Sequence, residues 1–147
     1  MGKTEGQRTG RALSEDGVGG SVVDGGAVSI TKMTYLLSFP QIDPHLYKVG
    51  QSDFPPSRAA YYSRVFATEC QIDIVLCHEM WERVVLGKFG HMRAIDHDWE
   101  ITAPGRSEFL YDETGEVRRF LDSVRHLTHE ECQQLSRRFW SSVLVAP

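Results

Sequence analysis

The chain has 147 residues, 41% hydrophobic and 24% charged, with a formal net charge of −4. That length supports one domain with its own core, and no apolar run is long enough to span a bilayer, so no membrane partner is expected. The acidic balance argues against a broad phosphate-binding face, because non-specific nucleic-acid binders carry basic stripes; it leaves room for a small basic groove.

Three cysteines, Cys70, Cys77 and Cys132, form no CxxC pair. The N-terminus lacks the basic-then-apolar pattern of a secretory signal. The expectation is reduced thiols in an intracellular protein, cytoplasmic or nuclear and not secreted.

Residues 1–30 hold eight of the thirteen glycines and no sustained apolar period. Such a segment buries too little surface to offset its ordering entropy, which predicts a disordered tail. A folded domain is expected over residues 31–126. MTYLLSF (33–39) is a short apolar run rich in strand formers, ended by Pro40. LYKVG (46–50) is a second strand, with Pro44 in the loop before it. Two strands joined by about six residues predict an antiparallel pair.

Asp53-Phe-Pro-Pro-Ser reads as a helix entry, with proline favoured near the first turn. QIDIVLC (71–77) alternates as a third strand, and Glu79 to Phe89 is the next helix, with Trp81, Val85 and Met92 on one side. SEFLY (107–111) is a short strand or extended segment. Beyond Thr114-Gly115, Val117, Phe120, Leu121 and Val124 recur at helical spacing as one buried stripe. Thr128 and Glu131 have capping-box spacing for a last helix within 127–147, with Cys132, Leu135, Phe139 and Val143 facing inward. The order predicts an α+β fold: a small, mainly antiparallel three-stranded sheet flanked by helices.

CHEMWERVVLGKF (77–89) opens like a zinc-protease helix, His78-Glu79, but Glu82 stands where the second histidine belongs. One His and one Glu leave zinc short of ligands. Taken alone, Glu82 reads as a solvated carboxylate paired with Arg83 or Lys88.

Read together, TYLL, LYKVG, PPSR, WERVVLGKF and GRSEF occur in that order across residues 33–122. The series resembles the GIY-YIG nuclease superfamily, in particular the phage, viral and fungal branch often labelled a DNA-binding domain. On that resemblance Tyr35 matches the tyrosine of the first half-motif. Lys48-Val49-Gly50 matches the second, with lysine where many members have tyrosine. Arg58 matches the helix arginine, Glu82 the metal-binding glutamate, and Glu108-Phe109 the terminal EF of this branch. The chain departs from the pattern in lacking the first glycine (Met33-Thr34 precede Tyr35) and in placing Leu86 where relatives often have histidine.

The resemblance implies hydrolysis of DNA phosphodiesters. Mg²⁺ or Mn²⁺ on Glu82 supports the leaving charge, since such ions accept one or two carboxylates and keep several waters. Arg58 offers a planar fork to non-bridging oxygens, and Tyr35 orients or activates water. Lys48, Arg64, Lys88 and Arg93 are the expected phosphate contacts, and Glu108 is read as a cap or a partner of Arg106. Two other functions fit the same residues: a DNA-binding module that keeps the fold without cleavage, and a protein-interaction domain. The latter would use Trp140 and the C-terminal helix for a partner or for self-association.

Overall fold

The computed structural model describes residues 31–145, with helical backbone alone from residue 139 onward. The expected tail at residues 1–30, and the side chains of Phe139, Trp140 and Val143, lie outside the described residues. The elements in chain order are β1 (Met33–Phe39), β2 (Asp43–Ser52), α1 (Pro55–Val65), β3 (Gln71–Leu76), α2 (Met80–Lys88), β4 (Phe109–Tyr111), α3 (Glu116–Val124) and α4 (His129–Val145). Short 3-10 turns cover Gly90–Met92, Ala94–Asp96 and Arg106–Glu108. No helix among the described residues is long and apolar enough to cross a membrane.

The fold is α+β. The sheet has four antiparallel strands in the order β3-β1-β2-β4, not the expected three. The additional strand, β4, is three residues long and pairs Leu46↔Tyr111, Tyr47↔Leu110 and Lys48↔Phe109. A segment that short shows no alternation, and only its partner β2 makes it a strand. The β1–β2 connection is also tighter than expected, because β2 already begins at Asp43. Pro44 lies inside that strand, where the register skips from Ser38↔Tyr47 to Phe39↔Asp43. Such a bulge accommodates a residue with no N–H to give the ladder.

Strand alternation divides the core in two. On one face Tyr35, Leu37 and Phe39 of β1, with Leu46 and Phe109, meet Ala59, Tyr62 and Val65 of α1. On the other face Leu36, Val49, Ile74 and Leu76 meet Trp81 and Val85 of α2, Val117 and Leu121 of α3, and Cys132 of α4. β1 is therefore buried on both sides, which is why its sequence is a continuous apolar run.

Local hydrogen bonds fix the helix starts. Asp112 is buried and accepts from the backbone N–H of Glu116 and Val117, satisfying donors that α3 leaves unpaired. Thr128 and Glu131 form a reciprocal capping box at α4: Glu131 N–H donates to Thr128 Oγ1 (3.1 Å), and Thr128 N–H to Glu131 Oε1 (2.8 Å). His78 braces α2. Its Nδ1 accepts from Met80 N–H, its carbonyl accepts from the Thr34 hydroxyl, and its Nε2 meets Gln133.

Candidate active site

A cavity of about 500 Å³ opens where the C-terminal end of β2 meets the entry to α1, the first turn of α2 and the Pro104–Glu108 loop. Tyr35, Lys48, Arg58 and Glu82 all line it, together with Gln51, Tyr62 and Glu108. Alternation explains part of this. Tyr35 of β1 sits opposite Gly50 of β2 in register, and Lys48, two residues earlier on β2, shares that face.

Tyr35 is only 2% exposed and meets the cavity as part of its wall. Gly50 makes room for it. A Cβ at Gly50 would stand 2.3 Å from the Tyr35 hydroxyl oxygen, 2.5 Å from Cζ and 3.0 Å from Lys48 Nζ. Gly50, inside β2 rather than at its end, is therefore required for close approach of a ring.

Lys48 lies beneath this wall and is 2% exposed. Its Nζ donates to Glu108 Oε1 at 2.5 Å and to Val49 O at 3.0 Å, and sits 5.5–5.9 Å from the ring centroids of Tyr35, Tyr62 and Phe109. Burial alone would favour the neutral amine. The phenolic oxygens of Tyr35 and Tyr62 and the Glu108 carboxylate outweigh it and hold the ammonium pKa above its ordinary value. Lys48, expected from the sequence as a phosphate contact, is thus a buried counter-charge in the cavity lining. Its partner Glu108 was expected to pair with Arg106 or to cap. Gly105, at φ +77°, lets the backbone pass over this pair; a Cβ there would lie 3.1 Å from Glu108 Oε1 and 3.5 Å from Lys48 Cε and Tyr62 Oη.

Arg58, on the first turns of α1, is half-buried. Its guanidinium lies 5.2 Å and 5.5 Å from the ring centroids of Tyr61 and Tyr62; burial works against its charge, and the Tyr35 and Tyr62 hydroxyls nearby outweigh that and hold its pKa above the ordinary value. Those contacts hold its fork at the cavity wall. Glu82 sits in the first turn of α2, where the helix dipole favours an anion. Its Oε1 accepts from Gln51 Nε2 at 2.6 Å. Burial raises its pKa above the ordinary carboxylate range, the Gln51 hydrogen bond pulls it back, and the nearby Glu108 carboxylate raises it further.

The remaining expected phosphate contacts do not line this cavity. Arg64 is exposed near the end of α1, 6.0 Å from the Tyr61 ring centroid. Lys88 lies against the rings of Phe89 and Phe120 and lines a separate cavity with Arg83 and Ser136. Arg93 braces the loop, its Nε donating to Ser107 O (3.1 Å) and its Nη1 to Gly90 O (3.4 Å).

The carboxylates of Glu82 and Glu108 and the amide oxygen of Gln51 are hard donors. Among the described residues no three His, Cys, Asp or Glu side chains are grouped as a metal site. One or two carboxylates plus water suit Mg²⁺ or Mn²⁺. Tyr62, Gln51 and Gly105 escaped the sequence reading. Only the Pro104-Gly105 pair carried a signal, as a turn. Comparison with protein-family models, curated proteins and solved structures finds no match to this chain.

Proposed function

We propose that this chain is a divalent-metal-dependent endonuclease of the GIY-YIG type that hydrolyses DNA phosphodiester bonds inside cells. One observation carries the reading: Tyr35, Arg58 and Glu82, from β1, α1 and α2, line a single cavity.

In this reading Arg58 binds the non-bridging oxygens of the scissile phosphate, and its packing on the rings of Tyr61 and Tyr62 holds it at the cavity. Tyr35, positioned by Gly50, orients or activates the attacking water. The buried Lys48 ammonium places positive charge beneath the phosphate-binding wall without leaving the core. Glu82, fixed by Gln51, holds the cation together with its waters. When bound, Mg²⁺ or Mn²⁺ supplies charge to stabilise the leaving oxygen. The three free thiols, Cys70, Cys77 and Cys132, suit a reducing intracellular setting.

The test is nicking of supercoiled plasmid by purified protein in Mg²⁺, Mn²⁺ or EDTA. Cleavage is expected with either ion, not with EDTA, and not by the Glu82→Ala variant in its folded form. No cleavage on supercoiled, linear or branched DNA would remove the enzyme reading. A DNA-binding module without cleavage is the second reading, favoured by the Gln51 hydrogen bond that occupies Glu82 Oε1. It expects salt-sensitive binding that Glu82→Ala leaves unchanged or improves.

A further inference from the structure

Phe54 is 59% exposed, against 37–40% for Ile42, Ile72 and Val75, the other exposed large hydrophobic residues among those described. It is the residue immediately before α1. Ser52 and Asp53 before it and Arg58 after it line the cavity; Phe54 itself is not part of that lining, so its backbone borders the cavity while its ring lies outside it. Its backbone is fixed although its side chain is in water. The Phe54 N–H donates to Ser52 Oγ (2.9 Å), and its carbonyl accepts from the N–H (3.1 Å) and hydroxyl (2.9 Å) of Ser57. Pro55 and Pro56 follow, each with φ set by its ring. The chain therefore displays a rigidly based aromatic surface beside the wall that carries Arg58.

We propose that Phe54 is a stacking platform for an unpaired nucleobase adjoining the phosphate bound in the cavity, and that the site therefore takes single-stranded or locally unpaired DNA. This rests on the nuclease reading above. The chemistry is general. Every base has a π-face that an aromatic ring can cover, and in a continuous duplex both faces are already covered by neighbouring pairs. A platform on the chain that borders the cavity thus discriminates by strand pairing rather than by sequence. Arg58, a few residues further on, supplies the phosphate contact that sets the register.

Fluorescence anisotropy with a labelled single-stranded oligonucleotide and its matching duplex, in EDTA to prevent cleavage, tests this. Phe54→Ala, at an exposed position, is expected to melt with the wild type and to bind the single strand about 5- to 100-fold more weakly. Its duplex affinity should change less than about two-fold, and Phe54→Trp should restore single-strand binding. Equal single-strand affinity of wild type and Phe54→Ala overturns the proposal while leaving the nuclease reading standing. Failure of the wild type to bind either oligonucleotide at low salt removes both.

Discussion

Gly50 and Tyr35 face each other across the β1–β2 ladder at a distance that admits no side chain at Gly50. A single methyl there would lie 2.3 Å from the phenolic oxygen and 2.5 Å from Cζ. Both atoms belong to a rigid ring buried at 2% exposure, so the ring cannot swing aside cheaply. Gly50→Ala is expected to destabilise the fold by about 1–3 kcal/mol, the usual range for overpacking, and to displace the Tyr35 hydroxyl. Thermal melting gives the first effect and the nicking rate the second. A variant with unchanged melting and rate would show that the Tyr35 ring is not confined as described.

Lys48 and Glu108 lead to an asymmetric prediction. The ammonium side chain is 3% exposed and the carboxylate 31%. Glu108→Ala leaves a buried cation without its partner and is expected to cost toward the lower end of about 3–5 kcal/mol. Lys48→Met keeps a stem that packs on Tyr62 and Phe109 and frees a carboxylate that can turn to water, so its cost is smaller. Chemical denaturation of both variants checks the order. A costlier Lys48→Met would contradict it.

Glu82 gives a pH prediction with a defined sign. Its folded-state pKa is raised, first by burial and then by Glu108, against the pull of Gln51. Between the unfolded value of about 4.3 and the folded value, the native state holds the extra proton. Stability contributed by this group therefore falls as pH rises through that window. Without metal, Glu82→Gln is expected to melt above wild type near pH 7, and the gap should close as pH drops below about 4. Mg²⁺ should raise the melting temperature of wild type and not that of the variant. A variant that melts lower at pH 7, or responds equally to Mg²⁺, would contradict this account of Glu82.

Much of the scaffold was legible because its signals are local. The apolar run at 33–39, the helical stripe Val117–Phe120–Leu121–Val124 and the Thr128–Glu131 capping box need only neighbouring residues to be read. β4 was legible only as a short strand or extended segment; its place in the sheet was not, since its three residues pair with β2, about sixty positions earlier. The burial of Lys48 was hidden for the same reason: a lysine is read as solvated until its partner is known, and Glu108 is 60 residues away. Charge alone marks Arg64, Lys88 and Arg93 as phosphate contacts. Each instead lies against a ring or a carbonyl outside the cavity. Tyr35, Arg58 and Glu82 form an ordered set over successive elements, and the topology carries those elements to one cavity.

The measurement that bears most directly on this arrangement is a mutant cycle on the nicking rate. It uses Tyr35→Phe, Arg58→Ala and Glu82→Gln singly and in pairs, with each protein shown to be folded. If the three side chains act on one phosphate and one hydrated ion, each single change lowers the rate about 10²–10³-fold. The paired changes then fall far short of the product of the single effects, as groups working as a unit do. Wild-type cleavage that survives Glu82→Gln, or losses that multiply as for independent sites, would contradict a single shared centre.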